Sequence, residues 1–170
     1  EAYKPFQGRL DDPADLRRML KGAGILEFRI LPTTDRSELS AAEMQRYLDD
    51  LKSKGPRAAS DSQYKWIEIE SIDEWQSLMS ITVVGSFGDR SYVLASNKLP
   101  DEALLHGASA KEWKLESAHP THDEIGRRAI GFGLDLRGGD LFYNVTSKNL
   151  NRPLAIILDE QARGDLGSNL

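Results

Sequence analysis

A chain of 170 residues, 39% hydrophobic and 29% charged, is long enough to bury a core as one domain or as a domain with a sub-domain. Its net charge of -5 argues against nucleic acid and anionic lipid as partners, because both select a basic surface. With no cysteine the chain has no disulfide, no thiolate metal site and no cysteine nucleophile, and cysteine usage leaves the compartment open.

Taken in order, Glu1 to Leu10 is weakly patterned. Asp12-Pro13 suits a helix entry, since a proline in the first turn loses no hydrogen bond. Leu16, Met19 and Leu20 then form one apolar stripe, closed by Gly22 and Gly24. Ile25 to Leu31 follows as a strand, with Leu26, Phe28 and Ile30 on one face and Glu27 and Arg29 on the other. Ser40-Ala-Ala-Glu43 is a capping box ahead of Met44, Tyr47, Leu48 and Leu51, whose spacing predicts an amphipathic helix that Gly55-Pro56 stops. Arg57 to Ser62 is small and polar and reads as a mobile connection. Tyr64, Trp66, Ile67 and Ile69 predict a strand, and Ser71-Ile-Asp-Glu74 a second capping box before Trp75 and Leu78. Ile81 to Val84 and Ser91 to Ala95 read as strands around a turn at Gly85 to Asp89.

Trp113 to Glu116 resumes an extended pattern, and Ala118 to Arg128 reads as a polar connection. Ile130, Phe132 and Leu134 alternate with Gly131, Gly133 and Asp135, as in a strand with one buried face. Gly138-Gly139 reads as a break in that strand, a tight turn requiring positive φ. The phrase Gly133 to Gly139 has neither the spacing of a phosphate loop nor the Lys-Ser/Thr that follows one. Leu141, Phe142, Val145 and Leu150 predict a short helix ended by Asn151 and Pro153, and the apolar run Leu154 to Leu158 predicts a central strand. Gln161 to Leu170 carries no apolar pattern. The fold class expected is α+β: a ferredoxin-like base, residues 1–32 and 112–170, split by an inserted α+β head at 33–111.

Two features invite chemistry. His119, His122, Asp123 and Glu124 offer imidazoles and carboxylates for a transition metal, although Pro120 spoils helical ligand spacing and a solvated loop explains them as well. They are the metal alternative; no cofactor is expected, and no nucleophile or oxyanion donor stands beside the carboxylates to suggest an enzyme. Trp66, Trp75, Phe87, Tyr92, Leu104 and Leu105 concentrate aromatic and apolar side chains in the inserted lobe, and those not needed for its core could line a groove for an extended apolar peptide.

The phrase from Phe132 to Tyr143, read with the run TSKNLNRPLAIILDE at 146–160, resembles the first large periplasmic domain of SecD, the accessory subunit of the bacterial Sec protein-export machine. LRRMLKGAGILEFRI at 16–30 resembles the early helix and strand of the same domain. The resemblance implies the periplasmic part of an inner-membrane SecD or fused SecDF subunit that holds emerging preprotein and aids export driven by the proton-motive force. Its implied partners are unfolded preprotein, SecF and the SecYEG channel. No run reaches the roughly 18 to 20 apolar residues a bilayer span needs, and no signal peptide opens the chain, so membrane segments would lie outside it. If head moves against base, the two chain crossings are the expected hinges: Pro32, Thr33 and Thr34 on one side, Gly107 to Lys111 on the other. The alternatives are a stand-alone small-ligand or metal-binding domain, and a scaffold that docks other Sec subunits.

Overall fold

The computed structural model describes residues 25–35, 38–69, 72–105, 113–122, 125–126 and 128–159. Within them the alternation of Leu26, Phe28 and Ile30 becomes strand β1, Ile25–Ile30, all three side chains buried. β1 is the centre of an antiparallel sheet, flanked by β5 (Ala103–Leu105) and β8 (Leu154–Asp159). Among the described residues the apolar run at 154–158 pairs on one side only, with β1. Its side chains at 154–157 are half-buried, Leu154 and Ile156 in the cluster that holds Val145 of helix α3 (Leu136–Lys148) and Ala155 on the opposite face. β5, three residues long and without a pattern of its own, lies inside 33–111 yet is hydrogen-bonded to β1.

Helix α1, Ala41–Lys54, forms as its signals require. Ser40 Oγ accepts from the Glu43 N–H and the Glu43 carboxylate accepts from the Ser40 N–H, satisfying two donors that the first turn leaves free. Gly55 closes it at φ 83°, a left-handed conformation that a side chain resists. Tyr47 and Leu51 are buried against β2 (Tyr64–Ile69), β3 (Val84–Phe87) and β4 (Arg90–Ser96), which form a second antiparallel sheet in the order β2-β4-β3. The other face of this sheet, with Ile69, Val93 and Ala95, packs on Leu31, Ala155 and Trp75 of helix α2 (Ile72–Met79). With apolar groups on both faces, the sheet shows why Ile67 and Ile69 are as necessary as Tyr64 and Trp66.

Three further expectations change. The turn expected at Gly85 to Asp89 shrinks to Gly88-Asp89, and Gly85 is part of β3. A Cβ at Gly85 would stand 2.7 Å from Leu51 Cδ2 and 3.1 Å from Leu48 Cδ2, so the glycine admits α1 rather than making a turn. Gly85→Ala should accordingly cost about 1–3 kcal/mol by overpacking, read as a lower urea midpoint with unchanged slope. Gly138-Gly139 falls inside the first turn of α3 and not in a break: Asp135 caps the helix by accepting from the Gly138 N–H at 2.8 Å, and a Cβ there would lie 3.2 Å from Trp113 Cε3. Gly138 answers close packing and not positive φ, which the structure assigns to Gly55, Gly88 and Gly126. Leu150, expected in the helix's apolar stripe, lies beyond its end and is 68% exposed.

The polar connection expected at 118–128 is instead paired backbone. β6 (Leu115–His122) and β7 (Arg128–Leu134) form a two-stranded ribbon in which β6 is mostly polar and exposed. Leu115, Phe132 and Leu134 of its near end pack on the cluster that holds Phe28 and Trp113. The 57–62 segment is tied down: Ala59 N–H reaches Gly55 C=O, Ser60 Oγ donates to Pro56 C=O, and Trp66 N–H donates to Ser60 Oγ. The expected early helix at 13–21, the capping box at 71–74 and the tail at 161–170 lie wholly or partly outside the described residues.

Candidate functional site

The six residues expected to line a peptide groove do not come together, and four of them fall in three separate core clusters. Trp66 and Tyr92 are buried beneath α1, Trp75 packs on the opposite face of the same sheet, and Leu104 is buried in the β1 cluster with Leu105 half-buried beside it. Phe87 is 41% exposed, its ring beside Gly55. Aromatic content alone therefore does not outline a groove. Beside Phe87, at the end of β3, the exposed apolar groups of the lobe include two that the sequence reading did not place in the groove: Met79 at the end of α2 and Ile81 shortly before β3. Met79 and Ile81 sit where a helix stops and a strand begins, so neither a helical nor an alternating pattern singles them out.

The crossing at Pro32 to Thr34 is well bonded. Pro32 and Thr33 are buried, Thr33 forms an antiparallel bridge with Thr82, and Thr34 N–H donates to Ile81 C=O at 2.9 Å. Leu31 N–H donates to Pro153 C=O at 2.9 Å, joining the crossing to the loop before β8. Gly107 and Lys111, on the other crossing, are outside the described residues.

A polar chain runs beside that crossing and couples the two sheets. Arg29, on the polar face of β1, is nevertheless buried; its guanidinium donates to Glu27 at 2.7 Å, to Ser96 C=O at 2.7 Å and to Asn97 Oδ1 at 2.6 Å. Ser96, the last residue of β4, donates through Oγ to Glu102 at 2.6 Å. Glu102 accepts in turn from Arg152 at 3.0 Å, and Arg152 also bonds Asn149 at the end of α3. Glu38 lies 3.5 Å from Arg152 Nε. Burial alone would raise the Glu102 pKa; the hydrogen bonds from Ser96 and Arg152, with the charges of Arg152 and Lys98, outweigh it and hold the carboxyl below its ordinary value.

His119 and His122 both lie on β6 and are exposed. Three residues apart on a strand, they point to opposite faces, so they do not converge on one ion. The His119 ring lies over Gly131, where a Cβ would meet its Nε2 at 2.7 Å. Asp123 and Glu124 fall outside the described residues, and among the described residues no group of three or more histidines and carboxylates could hold a metal. Also among them, no helix is long and apolar enough to cross a membrane.

Comparison with known proteins bears on this arrangement directly. The family described as SecDF, P1 head subdomain, matches residues 93–163. That span takes in most of β4 and all of β5 to β8 with α3, and so crosses the boundary near 111 that the sequence pattern set between lobe and base. A curated relative, the protein translocase subunit SecD of Endomicrobium trichonymphae, is 27% identical over 156 residues, which is 88% of this chain and 28% of that protein. The chain thus spans little more than a quarter of that relative's length. No solved structure matches. The two findings agree with each other and with the resemblance carried by residues 16–30 and 132–160: the chain is similar to the first periplasmic domain of SecD or SecDF.

Proposed function

We propose, from a SecD-like sequence that both comparisons uphold, that this chain is the extracytoplasmic domain of a Sec translocase accessory subunit and holds preprotein emerging from the channel. The observation that carries the reading is the SecDF P1 match over 93–163, which includes strands of both sheets. The domain works by binding and moving, not by catalysing a reaction. It acts on the periplasmic side of the bacterial inner membrane, with SecF and the SecYEG channel as partners of the longer protein, in export driven by the proton-motive force. Residues 1–32 and 112–170 act as a ferredoxin-like base, 33–111 as the head, and β5 joins them by pairing with β1.

In this reading the surface that meets preprotein lies on the head, around the exposed Phe87, Met79 and Ile81. Movement of the head bends the chain at Pro32 to Thr34, and where the bend falls after Thr33 that residue stays with the base and the Thr33–Thr82 bridge breaks. A cysteine pair, Thr33→Cys with Thr82→Cys, tests this cleanly in a chain that has no other cysteine. Bridge partners in an antiparallel pair lie within the Cα separation a disulfide needs. The oxidised variant in the full-length subunit should lose export that a reductant restores; export indifferent to oxidation would put the hinge elsewhere.

The direct test of the function is a nitrogen–proton correlation spectrum of the labelled chain, titrated with an unfolded export substrate. Shifts confined to 33–105 are the expected result. No shift at high concentration would leave a scaffold that docks other Sec subunits.

A further inference from the structure

We propose that the free edge of β3 is the polypeptide-binding element, and that the bound segment adds to the β2-β4-β3 sheet as a fourth, extended strand; this rests on the preprotein-holding function above and gives it a site. The hairpin register decides which groups are free. Phe87 pairs with Arg90 across the two-residue turn, Gly85 with Tyr92, and Leu94 N–H donates to Val83 C=O at 2.9 Å. In an antiparallel pair, hydrogen-bonded positions alternate. Residues 83, 85 and 87 therefore bond to β4, and the N–H and C=O groups of Val84 and Ser86 point outward. Among the described residues neither has a hydrogen-bond partner on that side.

The opposite edge of the same sheet is covered over its first half. The outward groups at the start of β2 are met by the 57–63 segment, Trp66 N–H donating to Ser60 Oγ at 2.9 Å and Tyr64 C=O accepting from Asp61 N–H at 2.8 Å. An open edge invites pairing with another chain, and folds commonly blunt it with lysine, proline or an inward charge. Val84-Gly85-Ser86-Phe87 has none of these. What fits such an edge is a main chain in extended conformation, because only an extended chain repeats donor and acceptor at the spacing of Val84 and Ser86. The two faces flanking it select alternate apolar side chains: Phe87 stands on the α1 face, Val84 on the face shared with Trp75. Main-chain pairing of this kind reads little sequence, as a device that must hold many different unfolded chains requires.

The test uses proline at an outward position. Ser86→Pro removes a donor that the β3–β4 ladder does not use, so the hairpin retains its own bonds while the edge loses one. The probe is a short peptide alternating valine and threonine between terminal lysines. Wild type and Ser86→Ala should bind it alike, and Ser86→Pro about tenfold more weakly or not at all. In wild type, the Val84 and Ser86 amides should exchange freely alone and become protected with peptide, a readout independent of any variant's folding. Equal binding by all three chains, or peptide binding without that protection, overturns the edge and leaves polypeptide holding intact. Failure of wild type to bind either this peptide or an unfolded export substrate overturns both.

Discussion

Phe28→Ala should destabilise the chain by about 3–5 kcal/mol, the range for an aromatic truncated in a core. Phe28 is fully buried on the central strand β1, and its ring meets three others: Trp113 at 6.2 Å, Phe132 at 5.4 Å and Phe142 at 5.1 Å between centroids. Those rings come from the approach to β6, from β7 and from α3, so one side chain joins the ribbon and the helix to the sheet. Contacts of this geometry add to the area they bury. Collapse into the cavity is opposed on each side, since Trp113 is 1% exposed and is held by its indole N–H donating to Leu105 C=O. Thermal unfolding should fall by roughly 10 °C or more for a domain of this size. A drop under about 1 kcal/mol would mean that the three rings repack without it.

Glu102→Gln should cost about 2 kcal/mol at neutral pH, by removing the charge that faces Arg152 while keeping the side chain's shape. The Arg152 side chain is 6% exposed, and Glu38, at 3.5 Å, is the remaining carboxylate beside it. The pH dependence has a definite sign. The folded pKa of Glu102 lies below its unfolded value, so its stabilisation is complete above the unfolded carboxylate range and disappears as pH falls through the lower, folded value. The variant should therefore be less stable than wild type at pH 7, and the two urea midpoints should draw together as pH falls below about 4. Midpoints separated equally at both ends of that range would show that the difference does not come from the Glu102 charge. Ser96→Ala should show part of the same effect, since Ser96 Oγ donates to the same carboxylate.

Much of the fold was legible where local chemistry decides it. The capping box at Ser40 and Glu43, the stop at Gly55 and the stripe through Tyr47 and Leu51 specify α1 with no reference to the rest of the chain. The alternation at 26–30 specifies β1 in the same way. The strand Ala103–Leu105 was not legible, because three residues carry no periodicity and their pairing is set by β1, more than seventy positions away. The ribbon at 115–134 was half legible: β7 alternates, but β6 is polar along most of its length, since its hydrogen bonds are satisfied by a partner strand rather than by burial.

The candidate site followed the same division. Composition showed an aromatic-rich lobe but not which aromatics remain outside, and only packing decides that Trp66 and Tyr92 are core while Phe87 is exposed. Glycines were misread for a related reason. Gly85 and Gly138 look like chain breaks in one dimension, and in three they are places where Leu51 and Trp113 come too close for a Cβ. By itself the sequence determined the α+β class, the principal helices and strands with one buried face, and the likeness to SecD, all of which rest on residues near one another in the chain. Only the tertiary structure decided the sheet order, the burial of Arg29 between two sheets and the edge at Val84 and Ser86 that has no partner among the described residues, because each depends on which distant segment arrives to satisfy a hydrogen bond.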